Sequence, residues 1–388
     1  MTTQILIGDC REVLKTLPDQ SAHCVVTSPP YFGLRDYGVD GQIGLEPTPS
    51  EFVEALVGVL REARRALRDE GTLWLNLGDS YAGSWGAQGH RITESDAPSW
   101  HSSQIKNHPK RGRQTGTIRE AGLKPKDLIG IPWRVAFALQ DDGWYLRQDI
   151  IWSKPNPMPE SVTDRCTKAH EYLFLLSKSQ RYFYDGDAIA EQVAESSIAR
   201  LAQDVEGQAG SARVPGKTNG TMKAVGRPQA LRASEIAREK GLTQAHIEAI
   251  RAVGIADTGK ALVTTNGAGK NTEEIKRLAA EAKEALGGYY REFLMGGTRN
   301  KRSVWEVPTQ PFRGAHFATF PPDLIEPCIK AGCPAGGTVH DPFGGAGTTG
   351  LVADRLQRNS ILIELNPKYA AMARNRIEAD AGLFGEVA

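Results

Sequence analysis

The tetrapeptide Ser28-Pro29-Pro30-Tyr31 combines residue types that suit the binding of an exposed amine. It follows an apolar run, residues 24–26, that predicts the end of a buried strand. Prolines carry no backbone N–H, so carbonyl oxygens dominate the hydrogen-bonding groups of this loop. The serine hydroxyl adds an acceptor, and the tyrosine ring can stack on a planar ligand. Such a loop can hold the lone pair of an NH2 group toward an electrophile, although in isolation it is more simply a turn.

A second motif, residues 339–350, has the pattern of a strand, a glycine-rich turn and a helix start. Glycines let a ligand approach the backbone closely, and the first turn of a helix offers free N–H groups to an anion. Gly345, Gly347 and Gly350 have the spacing of the dinucleotide fingerprint, which alone is a weak signal. The next strand ends at Glu364, where a carboxylate can accept hydrogen bonds from ribose hydroxyls, although a surface charge is the plain alternative. Together these features predict a nucleoside-type cofactor.

The two motifs together resemble those of one enzyme family. Residues 341–349 and the separate Ser-Pro-Pro-Tyr are similar to motifs of the amino-methyltransferases that modify cytosine N4 or adenine N6 in DNA, using S-adenosylmethionine. The catalytic loop precedes the cofactor loop, which resembles the circularly permuted beta arrangement of that family. The likeness extends over residues 1–85, 127–190 and 301–380. It implies that the cofactor is bound by Asp9, Cys10, His316, Phe320, Asp341, Phe343, Gly345, Gly347, Thr348, Thr349 and Glu364.

The resemblance also implies a mechanism, with residues 28–31 as the catalytic loop. The methyl group passes directly to the exocyclic amine of a base that has been flipped out of the duplex. The Pro29 carbonyl, the Ser28 hydroxyl or both accept hydrogen bonds from the amine, and Tyr31 stacks on the base. No dedicated base is required. Asp36 and Asp79 are candidates for a proton relay, but both are more readily explained as structural or solvent-facing residues.

The choice of base follows from position 28. Within the family, serine there usually goes with cytosine N4, whereas Asp or Asn usually goes with adenine N6. The predicted function is therefore methyl transfer to N4 of a flipped cytosine in double-stranded DNA, with adenine N6 left open. A nicotinamide-dependent oxidoreductase would explain the glycine motif but not residues 28–31. A non-catalytic DNA-binding protein, and RNA or a protein glutamine as substrate, are further alternatives.

The surrounding pattern predicts the elements that position these motifs. Short apolar runs alternate with helical periodicity, which is typical of an α/β fold. Predicted strands cover residues 4–7, 23–26, 72–77, 148–152, 171–177, 337–340 and 360–363. Predicted helices cover residues 50–68 (stopped by Gly71), 348–357 and 367–379. The fold class is a doubly wound, Rossmann-like methyltransferase sheet, mixed but mostly parallel, of about seven strands, with an inserted and largely helical recognition lobe.

Two stretches interrupt this pattern. Residues 90–126 are polar and basic and are predicted to be a loop that closes on the DNA backbone. Residues 191–300 mix helical patterns (230–240, 243–252 and 272–286) with glycine-rich breaks and are predicted to read the target sequence. The expected division is therefore a catalytic half (1–190), a recognition region (191–300) and a cofactor half (301–388). The residues expected to contact DNA are Lys110, Arg111, Arg113, Lys154 and Asn156.

Composition limits the class of protein. With 47 basic and 46 acidic residues the net charge is +1, so any DNA-binding surface must be local. The five cysteines include no Cys-x-x-Cys pair, which argues against a disulfide framework or zinc site and favours a reducing cytoplasm. No signal peptide and no bilayer-length apolar run is evident. Expected partners are double-stranded DNA and, by resemblance, a second copy in a homodimer; a cognate restriction endonuclease is left open.

Overall fold

The chain divides into two compact units. The computed structural model describes residues 1–33, 39–82, 123–192, 236–253, 272–287, 298–310, 320–381 and 386–387. One unit combines Met1–Ile189 with Arg302–Ala388, and the other is Ala190–Lys301. The first contains both motifs of the sequence. The second contains most of the residues expected to form the recognition region, and that role stays a prediction.

Both units contain β-strands. In chain order they are β1 (Thr2–Ile7), β2 (Ala22–Thr27), β3 (Leu67–Leu77), β4 (Tyr145–Ser153), β5 (His170–Ser177), β6 (Glu191–Gln192), β7 (Thr298–Arg299), β8 (Val304–Glu306), β9 (Thr338–Asp341), β10 (Asn359–Glu364) and β11 (Glu386–Val387). Among the described residues, nine of them form one sheet in the order β11-β1-β10-β9-β2-β3-β5-β4-β8. Its pairings are parallel except those of β5, which runs antiparallel to β3 and β4.

All seven predicted strands are present in this sheet. The sheet is wider than expected because β8 and β11 extend it to nine strands. These two strands have only three and two residues, too few for a period-of-two pattern to show in the sequence. The predicted fold class, a mostly parallel Rossmann-like sheet, is confirmed.

Helices cover both faces of the sheet. The helices on the sheet are α1 (Cys10–Thr16), α2 (Pro49–Ala66), α3 (Ile131–Asp141), α6 (Pro322–Gly332), α7 (Thr348–Arg355) and α8 (Pro367–Ala381), while α4 (Gln244–Val253) and α5 (Thr272–Leu286) belong to the unit Ala190–Lys301. One apolar core joins α1, α2 and α3 to one face of the sheet, and another joins α6, α7 and α8 to the opposite face. Within β2 the buried side chains alternate, because Val25 joins the first core and Cys24 and Val26 join the second. A strand buried on both faces therefore appears as a continuous apolar run.

The predicted boundary between α2 and β3 is wrong. The helix was expected to continue to residue 68 and to stop at Gly71, but it ends at Ala66, and Leu67 already begins β3. The Leu67 N–H still bonds to the Ala63 carbonyl while its backbone is extended. Gly71 is required for another reason: a Cβ atom there would lie 2.4 Å from Cγ of Leu67. The glycine permits close packing within the strand.

The unit Ala190–Lys301 is described in part. Its helices α4 and α5 pack through two small apolar clusters, one of which includes Ile250, Ala282 and Leu286. The predicted helix over residues 272–286 matches α5, and the one over 243–252 lies within a residue of α4. Residues 236–239 are helical, whereas 230–235 fall outside the described residues, as do residues 90–122 of the basic segment. In the described part of the chain no helix is both long and apolar enough to span a membrane.

Candidate active site and cofactor site

The two sequence motifs meet at the centre of the sheet. Strands β2 and β9 are parallel neighbours, and from this pair the chain order runs outward in both directions. Ligands of open α/β sheets bind outside the carboxyl ends of the strands at such a switch point. A cavity of about 350 Å³ lies there. The predicted residues that line it are Asp9, Cys10, Ser28, Pro29, Pro30, Tyr31, Lys154, Phe320, Asp341, Phe343, Gly345, Thr348 and Glu364.

Asp341 joins the two motifs through a buried carboxylate. Its Oδ1 accepts hydrogen bonds from the Thr27 hydroxyl (2.6 Å) and the Phe343 N–H (3.0 Å). Its Oδ2 accepts one from the Thr349 hydroxyl at 2.6 Å. Burial raises the pKa of Asp341 from 3.8 to about 6, against the lowering effect of these donors. Although Asp341 lines the cavity, it is only 2% exposed and accepts three hydrogen bonds from the protein, so it connects the strands β2 and β9.

The glycine loop has two distinct functions. Gly345 and Gly347 have positive φ angles, 51° and 74°, that other residues rarely adopt. Gly347 lies behind the cavity wall, where a Cβ atom would come within 2.8 Å of Cβ of Ala373. Thr349 also lies behind the wall, bonded to Asp341. The prediction of direct cofactor contact therefore fits Gly345 better than Gly347 or Thr349, which maintain the packing of α7.

Glu364 presents its carboxylate at the end of β10. Oε2 accepts a hydrogen bond from the Gly345 N–H and Oε1 accepts one from the Asn366 N–H, both at 2.8 Å. Burial raises the pKa of Glu364, opposed by these backbone donors. Each carboxylate oxygen can accept a further hydrogen bond. Because the residue lines the cavity, its orientation is fixed while acceptor capacity for ribose hydroxyls remains.

The N-terminal turn completes the same side of the cavity. Asp9 caps α1 by accepting from the Arg11 N–H and also pairs with the Arg11 guanidinium, which lowers the pKa of Asp9. Burial raises the pKa of the Cys10 thiol to about 12, so this thiol is protonated and unreactive at neutral pH. Phe320 adds an aromatic ring to the wall. His316, the remaining residue predicted to contact the cofactor, lies outside the described residues.

The catalytic loop is held by a hydrogen-bond network centred on Asn76 of β3. The Ser28 hydroxyl donates to Oδ1 of Asn76 at 3.2 Å, and the Tyr31 hydroxyl oxygen lies at the same distance from that atom. The Nδ2 group of Asn76 donates to the Tyr172 carbonyl (3.1 Å) and to Glu171 (3.3 Å). The two acceptors beside Nδ2 and the Ser28 hydroxyl beside Oδ1 determine which way the amide faces. Ser28 therefore donates its only hydroxyl proton to Asn76, and the lone pairs of its oxygen remain available as acceptors.

Glu171 is the second centre of this network. It accepts from the Tyr31 hydroxyl at 2.5 Å and from the Lys154 ammonium. The Lys154 and Glu171 side chains are only 17% and 14% exposed, and Lys154 Nζ lies 4.2 Å from the centre of the Trp152 ring. Lys154, predicted as a DNA contact, thus lies in the cavity wall beside the catalytic loop. Its partner Glu171 was not among the predicted site residues.

Several cavity residues were not predicted. Asn76, Trp152, Glu171 and Thr309 all line the wall. A signal existed for Asn76, since it is the one amide in the apolar run of β3 and buried polar groups need partners. No comparable signal marks Thr309. It reaches the wall because the Asn156 amide bonds to its backbone, and Asn156 itself, another predicted DNA contact, lies outside the wall.

The remaining predicted residues are placed as follows. Asp79 accepts from the Gly130 and Ile131 N–H groups at 3.0 Å each, which caps α3 and supports the structural alternative. Asp36, Lys110, Arg111 and Arg113 lie outside the described residues.

The fold and cavity define the class of the protein. The chain has a mostly parallel sheet with helices on both faces, a glycine loop after β9 and an acidic residue at the end of β10. This combination is typical of an α/β enzyme with a nucleoside cofactor. The family described as DNA methylase (N6_N4_Mtase) matches residues 22–375, and the chain belongs to this family. It is a DNA methyltransferase of the N4/N6 type, as the motif resemblance predicted, and its methyl donor is S-adenosylmethionine.

Individual relatives agree with this assignment. The chain is 39% identical over 373 residues to Type II methyltransferase M.Cfr9I of Citrobacter freundii, covering 96% of this chain and 87% of that protein. It is 40% identical over 371 residues to Type II methyltransferase M.XycI of Xanthomonas campestris pv. cyanopsidis, covering 96% and 86%. The solved structure of PvuII DNA methyltransferase (cytosine-N4-specific) has a TM-score of 0.50 at 17% identity, covering 97% and 87%. That last likeness shows the fold.

The cavity residues fit the cofactor. Glu364 and Thr348 supply an acceptor and a hydroxyl, and Phe320 and Phe343 supply rings. An adenosyl group with an amino-acid tail requires these kinds of group, a mainly apolar wall with a few fixed polar contacts.

Proposed function

We propose that the chain methylates the exocyclic N4 amine of a flipped cytosine in double-stranded DNA. The observation that carries the proposal is the orientation of the Ser28 hydroxyl. Its proton is donated to Asn76, so the Ser28 oxygen can only accept a hydrogen bond from a substrate. An amine is the group that such an acceptor binds, and the neighbouring Pro29 carbonyl offers a second acceptor.

Two acceptors on one amine favour attack by its nitrogen. The lone pair of an aromatic amine is conjugated with the ring, and hydrogen bonds from both N–H groups favour a tetrahedral nitrogen whose lone pair points away from them. S-Adenosylmethionine, when bound, supplies an electrophilic methyl group on a sulfonium. Rate enhancement then comes chiefly from orientation, which is worth several powers of ten when reacting atoms are held about 3–3.5 Å apart.

Tyr31 is the residue that we propose stacks on the base. Its ring lies on the cavity wall, and its hydroxyl is held by Asn76 and Glu171. The hydrogen bond to Glu171 and the close packing against Gly78 restrict the ring to one plane. A fixed aromatic plane compensates for the stacking that a base loses when it leaves the duplex.

Cytosine is proposed because the acceptor at position 28 is a serine. A serine hydroxyl is short and lies close to the backbone, and within the resembling family it usually goes with cytosine N4. We further propose that the unit Ala190–Lys301 contributes to reading the target sequence, because the catalytic loop can contact only the reacting base.

The test is the chemistry of the modified base. The protein is expressed in a bacterial host that lacks its own DNA methylases, and nucleosides from its genomic DNA are identified by mass spectrometry. The expected product is N4-methylcytosine, and long-read sequencing of the same DNA reports its sequence context. N6-methyladenine as the product would overturn the assignment of cytosine.

Two serines at opposite ends of β2 provide a matched comparison. Ser28→Ala removes the acceptor and should lower the methylation rate at least about tenfold, the factor for 1.4 kcal/mol. Ser21→Ala, at the other end of the strand, should leave the rate unchanged. Equal rates for both variants would show that the Ser28 oxygen does not bind the amine.

A further inference from the structure

Arg376 of α8 contacts the cofactor loop from behind the cavity wall. Its Nη1 donates to the Ala346 carbonyl at 3.0 Å and to the Thr348 hydroxyl oxygen at 2.8 Å. Both of these residues line the cavity, whereas Arg376 does not. One guanidinium nitrogen thus holds two groups of the cavity wall, the Ala346 carbonyl and the Thr348 hydroxyl.

The contact determines the direction of the Thr348 hydroxyl. An arginine only donates, so the Thr348 oxygen is the acceptor of this bond and its own proton points elsewhere. Within the described residues, that proton has no acceptor. Thr348 is only 4% exposed and lies on the wall. Buried hydroxyl protons are normally satisfied, so a ligand acceptor is expected here. The neighbouring Thr349 differs, because it donates to Asp341.

The electrostatics favour an anionic acceptor. Thr348 is the first residue of α7, and the N–H groups of a first helical turn attract negative charge. A guanidinium beside the same turn adds a full positive charge. The carboxylate of Asp380 also acts on Arg376, but Asp380 is itself paired with Arg355. The single anionic group of S-adenosylmethionine is the carboxylate of its amino-acid tail.

We propose that Arg376 is a positioning residue that orients the Thr348 hydroxyl to donate to the cofactor carboxylate. Arg376 acts through Thr348 and Ala346 and does not touch the reacting atoms. Its function concerns the cofactor alone, so it does not depend on which DNA base is methylated.

Calorimetry with two product analogues tests this role without any turnover. S-Adenosylhomocysteine keeps the carboxylate, and its decarboxylated analogue keeps the amine but lacks the carboxylate. Arg376→Met should weaken binding of S-adenosylhomocysteine about tenfold, as expected for loss of a hydrogen bond to a charged group. Binding of the decarboxylated analogue should be unchanged. Equal weakening of both ligands, or of neither, would overturn the proposal.

Conservative variants separate orientation from folding. Thr348→Val should reproduce the selective loss, whereas Thr348→Ser, which keeps the hydroxyl, should bind both analogues as the wild type does. Arg376→Lys retains the charge and one donor and should recover part of the affinity for S-adenosylhomocysteine. Lys368→Gln removes an exposed charge from the same helix and should have no selective effect. A selective loss in Lys368→Gln equal to that in Arg376→Met would also count against the proposal.

Discussion

Replacing Asp341 by asparagine tests how the two halves of the site are joined. The carboxylate accepts from Thr27, Phe343 and Thr349 in a buried position. Asparagine has nearly the same shape and can still accept from Thr27 and Phe343 through Oδ1. Its Nδ2 would then donate to the Thr349 oxygen, whose proton can turn to the Val26 carbonyl 3.5 Å away. The substitution therefore removes a titrating group while largely keeping the connection.

The magnitude follows from the raised pKa of Asp341. A carboxyl with a pKa of 3.8 when unfolded and about 6 when folded contributes most to stability below pH 3.8. That contribution is lost as the pH rises through about 6, because the native state holds the proton more tightly than the unfolded state. At about 1.4 kcal/mol per pH unit the total is about 3 kcal/mol. Relative to Asp341→Asn, the wild type should lose most of this, about 2 kcal/mol, between pH 4 and pH 8.

Urea unfolding followed by tryptophan fluorescence measures this difference. All seven tryptophans lie within Met1–Ile189 and Arg302–Ala388, so the signal reports the unit that contains Asp341. Other titrating groups occur in both proteins and cancel in the difference. A difference that stayed constant from pH 4 to pH 8 would refute the raised pKa. A large loss of S-adenosylhomocysteine binding in the variant would instead restore the predicted role of Asp341 as a cofactor ligand.

Two further substitutions test positions near the carboxyl ends of β3 and β9. In Gly78→Ala the new Cβ would lie 2.5 Å from the Tyr31 ring, so the methylation rate should fall at least about tenfold while S-adenosylhomocysteine binding persists. Gly58→Ala is the control, because a Cβ atom there meets open space. Full activity of Gly78→Ala would contradict the role of the Tyr31 ring. Burial lowers the pKa of His340 to about 4, and its Nε2 has no partner within the described residues. The contribution of neutral His340 to stability should therefore be complete above pH 6.5 and be lost toward pH 4. In urea titrations the wild type should lose this stability relative to His340→Gln as the pH falls, and a difference that does not change with pH would refute the lowered pKa.

Local patterns were sufficient to predict most of the elements and both loops. The seven central strands, the cofactor loop and α5 follow from apolar periodicity and glycine spacing, which act over a few residues. Local patterns did not predict the short edge strands β8 and β11 or the end of α2. The first two carry too few residues for a pattern. The end of α2 depends on how Leu67 and Gly71 pack in the sheet.

The sequence by itself determined what kinds of group the site contains and the order in which the chain supplies them. Tertiary structure alone decided how these groups are oriented. Asn76 faces Ser28, Glu171 holds Tyr31 and Lys154, and Arg376 reaches Thr348. The physical reason is that each contact joins residues well separated in the chain, which only the packing of the strands and helices brings together. A hydroxyl can donate or accept, and only the neighbour that the fold supplies determines which it does.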